Sequence, residues 1–438
     1  MNSTFFLEYV GKIFPALQKV VDKINGGRQP LTYLFKTMLS NVYSADQKWE
    51  SASVDTRHVA ADVVSMDSPL PIKKRPTVAH SNGRLPKIGM KKIMGETDIN
   101  TVNIMIAQGA QWEQVAKKLT ADAVSCSTGI DEKIEYCFLY ALGHGYCLIE
   151  EDNNTGTAMR ADFGYLPENT YGVQVAGTID YKSIQNVIAA ASAKGDSITT
   201  IAVSLLTYNK MRQTNWAKEL VANYRGISYA SVSTLPTPSA GIFDEAFADD
   251  NNGIKFLKID RSVIVEKDGK QKPVKPFGDD NLIFLTTENV GSLVWSNVAE
   301  KTNPVAGAIY STLDQYKLVS KFSTPDPLQE VTYGQALVLP VIENVDQIYI
   351  LDTTQGATDS QTEGDTTFAY GGKNYVKSEV IAAVNAVADF TISSNITDAD
   401  LLVVLNLMSK AKRDAVFARI SPSSSGSGSG SGSASGSN

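Results

Sequence analysis

The sequence predicts an α+β protein of several segments, and three observations lead there. Apolar residues recur at helical spacing between residues 98 and 142. From 254 to 352 they alternate or run continuously, as in strands. Between 55 and 97 prolines and cations displace both patterns. The 438 residues suffice for two or three domains with sizeable cores. Hydrophobic residues at 43% and charged residues at 20% are ordinary for a folded chain.

Residues 1–52 read as an N-terminal arm. Phe6, Val10, Ile13, Leu17, Val20 and Ile24 fall on one helical stripe, Pro15 starts or kinks a helix, and Gly26-Gly27 ends the pattern. Leu31, Leu34, Phe35 and Met38 form a further apolar set. Such a segment either presents its stripe to a partner or packs on its own domain, and both readings stand. Residues 53–97 read as an extended loop, because Pro69, Pro71, Pro76 and Pro86 are too dense for helix or central sheet. Lys73, Lys74, Arg75, Arg84, Lys87, Lys91 and Lys92 lie there with no acid between Ser68 and Gly95. These seven are the candidate interface residues. They could contact phosphates, but little aromatic interleaving supports base stacking. In a chain of net charge -7, docking onto an acidic surface of another copy is the more economical use.

Helical spacing resumes with Ile99, Val102 and Ile106, then Trp112, Val115 and Leu119. Gly129 is expected to break the run before it continues through Ile134, Phe138 and Leu142. Tyr146 to Glu150 reads as a strand, followed by polar turns. Residues 181–225 read helix–strand–helix, with Ile184–Ala193 helical, Thr199–Leu206 a buried strand and Asn209–Tyr224 one helix. Phe256–Val265 and Leu282–Thr286 read as strands, with Asp268-Gly269 a turn. Gln335–Asp352 adds strands. Residues 356–365 are a polar linker, 366–420 a helical module with Asp398 as a helix cap, and 421–438 a flexible Ser/Gly tail or an appended linker.

Enzyme chemistry finds little footing. His58, His80 and His144 stand apart from one another and from the cysteines, so neither a zinc site nor any other metal site is expected. There is no phosphate-binding GxxxxGK[ST] loop and no GxSxG elbow. Asp162-Phe163-Gly164 spells a magnesium-binding tripeptide of kinases without its companion motifs, and reads as a turn. Acid pairs such as Asp249-Asp250 and Asp279-Asp280 read as solvated turns. No catalytic residue and no cofactor is expected. Cys126, Cys137 and Cys147 suit reduced thiols. Neither a secretory signal nor a stretch of the ~20 apolar residues that spans a membrane is read from the chain, so no membrane partner is expected.

Several segments together carry a resemblance. Leu85–Asp98, LPKIGMKKIMGETD, looks like the end of the projecting loop in major capsid proteins of tailed double-stranded-DNA bacteriophages, of the lambda capsid-protein-E type. Met159–Gly172, MRADFGYLPENTYG, resembles the strand and turn after their spine helix. LIFLTTENVGSLVWSNV and Thr332–Thr354 resemble later stretches of the central domain and its closing strands. The resemblance spans roughly Ser53 to Gln355.

It implies the HK97-type capsid fold: an arm (1–52), an extended loop (53–97), a peripheral domain with spine helix (98–174), an axial domain (175–330) and returning peripheral strands (331–355). It further implies a structural protein, not an enzyme. Such a protein self-assembles into hexamers and pentamers of an icosahedral head, in the host bacterial cytoplasm. The head encloses double-stranded DNA without sequence-specific binding, and portal, scaffold and decoration proteins are possible partners. The Lys and Asn positions of the family's intersubunit crosslink find no match, so no such crosslink is expected. An encapsulin-like nanocompartment and a cytosolic α/β enzyme are the alternatives.

Overall fold

Helices and strands follow one another much as the periodicities suggest. The computed structural model describes residues 33–54, 78–109, 112–149, 159–267, 270–356, 367–370, 373–387, 401–402, 405, 408 and 410–420. The chain divides into two units, Met1–Ala357 and Thr358–Asn438.

In the first unit, helix α1 (Phe35–Met38) runs into strand β1 (Leu39–Tyr43). Strands β2 (Lys48–Val54), β3 (Val78–Arg84) and β4 (Lys87–Met94) follow, then helices α2 (Glu96–Ala107) and α3 (Trp112–His144). Next come β5 (Tyr146–Ile149), β6 (Met159–Asp162), β7 (Thr170–Val173), α4 (Tyr181–Ala193), β8 (Thr200–Ser204), α5 (Leu205–Gln213), α6 (Asn215–Tyr224) and α7 (Ala240–Asp250). The remainder is mostly strand: β9 (Lys255–Ile259), β10 (Val263–Lys267), β11 (Lys270–Val274), β12 (Asn281–Leu285), β13 (Gly291–Ser296), the short helix α8 (Ala299–Thr302), β14 (Ile309–Leu313), β15 (Lys317–Pro325), β16 (Leu328–Ile342) and β17 (Ile348–Gly356).

Two sheets organise these elements. One has six strands in the order β1-β13-β16-β15-β14, with β4 on the other side of β16. The second runs β7-β17-β12-β8-β9. Strand β12, NLIFL, shows why they share a unit: successive side chains point to opposite faces. Leu282 and Phe284 enter the core under α4, α5 and α7, with Ile184, Met211, Phe243 and Phe247. Ile283 and Leu285 enter the core that holds Phe138 and Leu142 of α3 and Val338 and Leu339 of β16.

Helix α3 has 33 residues and spans about 50 Å at the usual rise. Val115, Leu119, Ala123, Cys126, Ile130, Ile134 and Phe138 are all buried, at the three- and four-residue spacing of one helical face. Gly129 does not interrupt it. A Cβ there would lie 2.2 Å from Met90 Sδ on β4, so the glycine answers a close helix–sheet approach, not a turn. On the strand side a Cβ at Gly334 of β16 would lie 3.0 Å from Cys126 Cβ.

Other expectations need adjustment. Asn209–Tyr224 is two helices, because Thr214 leaves the helical region (ψ 157) and its side chain caps α6 by accepting from the Ala217 N–H. The Thr199–Leu206 strand ends at Ser204, which caps α5 through the Thr207 N–H. Lys87–Met94, expected within a projecting loop, is instead a sheet strand paired antiparallel to β16. Strands β13 to β15, expected in the axial block, join the sheet of β16. Strand β17, expected beside β16, pairs with β7 and β12.

In the second unit, β18 (Thr367–Tyr370) pairs antiparallel with β19 (Lys373–Val376), and helices α9 (Lys377–Val387) and α10 (Lys410–Phe417) follow. Phe368, Tyr375, Val380, Val384, Leu401, Leu405 and Val416 form its core. Tyr370 stacks on Phe417 with ring centroids 4.6 Å apart. The linker 356–365 beyond Gly356, the Asp398 cap, the Asp268-Gly269 turn and the Ser/Gly tail lie outside the described residues.

Candidate assembly surfaces

The seven candidate cations do not form one patch. Lys73, Lys74 and Arg75 lie outside the described residues. Arg84 is exposed at the end of β3, opposite Lys48. Lys87, Lys91 and Lys92 are exposed on β4, opposite Leu337, Tyr333 and Thr332 of β16. Adjacent strand residues face opposite ways, so Lys91 and Lys92 serve different surfaces. Lys92 lies on the α3 side, where its charge acts on Cys126. Lys87 and Lys91 border an open groove of about 510 Å³ with Glu300, Phe322, Tyr333 and Gln335. Glu300 on α8 accepts from the Tyr333 hydroxyl at 2.6 Å and from the Gln335 amide. Burial and that carboxylate push the Tyr333 phenol up to about 12.

Strands β2 and β3 form a ribbon with seven facing pairs, from Lys48–Arg84 to Val54–Val78. Among the described residues neither strand pairs with a further strand. A lone two-stranded ribbon is marginal in water, and this one is held at its base. The Trp49 ring is buried with its centroid 5.6 Å from that of Phe163. The Leu85 N–H donates to Gln47 O at 2.9 Å. Strands β10 and β11 make a second such ribbon, where Ile264 is 65% exposed beside exposed Lys270 and Lys272.

The segment before β1 is fastened to α3. The backbone N–H groups of Leu34 and Phe35 donate to the two Glu135 oxygens, each at 3.1 Å. Tyr33 donates to Glu132 at 3.1 Å, and Arg261 donates to the same oxygen at 2.6 Å. Burial holds the Glu135 carboxyl above its ordinary range, although the two N–H donors pull it down. So at least Tyr33 to Leu39, within the expected arm, packs on its own unit; residues 1–32 lie outside the described set.

A charge cluster lies deeper. Lys317 Nζ, fully buried, sits 2.7 Å from both Asp131 Oδ2 and Asp314 Oδ2 and 3.3 Å from Ser127 Oγ. Lys36 Nζ adds contacts of 3.6 Å to Asp131 and 3.3 Å to Asp314. Burial raises the Asp131 pKa despite Lys317. At Asp314 burial acts in the same upward sense, but Lys317 and Lys36 together outweigh it and the net shift is downward. Sequence reasoning missed this cluster. A signal existed: Ser127, Asp131 and Glu135 recur every fourth residue alongside the apolar stripe of α3.

The motifs set aside earlier fall in simple surroundings. Asp162 Oδ1 accepts the Gly164 N–H at 3.0 Å, a local turn, while Phe163 packs on Trp49. His144 is exposed and stacks on Tyr140 at 4.3 Å. Among the described residues no group of three or more His, Cys, Asp or Glu side chains is placed to hold a metal. Nor, among them, is any helix long and apolar enough to cross a membrane.

No protein-family model matches the chain, and no curated protein matches it. Solved structures do show likenesses. The putative capsid protein of a prophage of E. coli CFT073 is 12% identical, with 77% of this chain and 98% of that chain covered, at a TM-score of 0.43. The cyanophage A-1(L) capsid asymmetric unit is 10% identical over 74% of this chain and 93% of that one, at 0.44. A virus-like particle from Pyrococcus furiosus is 10% identical over 78% and 100%, at 0.36. All three superpositions are loose.

Proposed function

We propose that this chain is a shell-building subunit, the major capsid protein of a tailed double-stranded-DNA phage. The observation that carries the reading is the β2–β3 ribbon, which among the described residues pairs with no further strand, yet is anchored at Trp49 and leads directly into β4 of the sheet on which α3 lies. An isolated ribbon buries little of its own backbone. It gains most by lying across another molecule, and heterologous contacts of that kind build closed shells when repeated. The resemblance of Leu85–Asp98 and Met159–Gly172 to phage capsid proteins supports the same reading.

In this reading the ribbon with residues 55–77 is the extended loop. The helix α3 and the six-stranded sheet make the peripheral part, and the five-stranded sheet with α4 to α7 makes the axial part. Arg84, Lys87 and Lys91, with Lys73, Lys74 and Arg75 of the loop, meet acidic surfaces of neighbouring copies. The shell forms in the host cytoplasm from hexamers and pentamers, encloses DNA without reading its sequence, and takes portal, scaffold and decoration proteins as further partners. No active site is proposed.

Sedimentation velocity of the full chain tests this. Wild type should run as shells or capsomer rings, and K87E/K91E should shift it toward monomer with unchanged circular dichroism. A wild type that stays monomeric at every concentration contradicts the proposal.

A further inference from the structure

We propose that Lys317 and Asp131 join in an intramolecular isopeptide bond that ties strand β15 to helix α3. The chemistry lies within one chain and does not depend on the shell reading. Lys317 Nζ is wholly buried and lies 2.7 Å from Asp131 Oδ2, which places the amine beside the carboxyl carbon. The other Asp131 oxygen, Oδ1, is buried with no hydrogen bond within 3.5 Å, and the Tyr316 hydroxyl acts on the same carboxyl group. A second carboxylate, Asp314 Oδ2, also lies 2.7 Å from Nζ, from the turn just before β15. Ile130, Ile134 and Leu313, neighbours of these residues in sequence, are buried as well. Lys36 Nζ, Ser127 Oγ and the Tyr316 ring complete the polar surroundings.

A permanent ion pair in such a place forfeits the hydration of both charges. A neutral amide does not. The arrangement supplies a nucleophile, an electrophile and a proton acceptor, already held together. Asp314 takes a proton from the Lys317 ammonium and frees the nitrogen lone pair. Burial favours the protonated, electrophilic form of Asp131. The lone pair adds to Cγ, a C–N bond forms, and one Cγ–O bond breaks. Of the four protons on Nζ and the Asp131 carboxyl, one stays in the amide, two leave with the departing oxygen as water and one remains on Asp314. No electron is gained or lost overall, and no co-reactant is needed.

Intact-mass spectrometry of the denatured full chain tests this. Wild type should weigh one water less than its sequence. A tryptic digest should give a branched peptide joining 119–133 to 302–321, uncut after Lys317. D131N should lose ammonia instead and reach the same final mass as wild type, whereas K317R and D131A should show their full masses. A wild-type chain at full mass, cleaved normally after Lys317, overturns the proposal. So does a loss of water that persists in K317R.

Discussion

The two helix-on-sheet interfaces of the first unit are built from different materials. Helices α4, α5 and α7 meet the five-stranded sheet through Tyr208, Phe243, Phe247 and Phe256, whose rings lie 4.5–6.2 Å apart, with buried aliphatic residues around them. Helix α3 meets the six-stranded sheet through an apolar stripe interrupted by Asp131, Glu135, Ser127, Lys317, Lys321 and Glu330, every one buried. Apolar packing is nondirectional and tolerates small slips. Buried polar groups are not tolerant, because each needs its own partner in place. The aromatic interface therefore supplies adhesion, while the charged one fixes where along its length the long helix sits. That distinction suits an element of about 50 Å, which has many possible registers against its sheet.

Substitutions can break this contrast. The largest effect is expected on the aromatic side. Phe247→Ala should cost about 3–5 kcal/mol in denaturant titration, with little dependence on salt or pH. On the charged side, replacing both members of a pair should behave differently. The double variant K321M/E330L should be neutral or gain about 1–4 kcal/mol, because Lys321 and Glu330 are shifted by burial in the directions that disfavour their charges. A loss as large as that of Phe247→Ala would erase the distinction.

Glu330 also sharpens it through pH. Burial raises its pKa above the ordinary 4.5, despite the Ser323 hydroxyl and Lys321. The folded chain then binds this proton more tightly than the unfolded chain. Its contribution is most favourable below pH 4.5 and declines as pH rises through the folded value. Glu330→Gln should therefore gain on wild type as pH increases through that window, and urea midpoints compared across pH will show it.

Smaller effects are expected at the margins of α3. Glu135→Gln should lose about 1–2 kcal/mol and speed amide exchange of residues 34 and 35, whose N–H groups it receives. Gly129→Ala gains helix propensity of about 1 kcal/mol, but forces Met90 aside at a cost of about 1–3 kcal/mol. A net loss of about 1 kcal/mol in thermal melts follows. A net gain would mean that Met90 turns away freely.

How much was legible in the sequence follows from the same contrast. Interfaces built on apolar periodicity could be read: the α3 stripe from Val115 to Phe138 and strand β12 stand where the spacing puts them. Gly129 misled, because a glycine required by a neighbouring strand looks in sequence like a glycine that ends a helix. Thr214 misled in the opposite way, since a capping threonine between two helical runs hardly disturbs the pattern. The basic run could be seen as charge but not as surface. Only the pairing of β4 with β16 shows that Lys91 and Lys92 point apart. The Lys317–Asp131–Asp314 cluster joins residues up to 186 positions apart, and one chain without its fold offers no way to pair them.

Closure of this chain into a shell is open to direct inspection by negative-stain electron microscopy of the purified protein. Closed particles of uniform diameter, or rings of five and six subunits, are expected. Monodisperse single subunits at high protein concentration, with no ring or shell in any field, would contradict it.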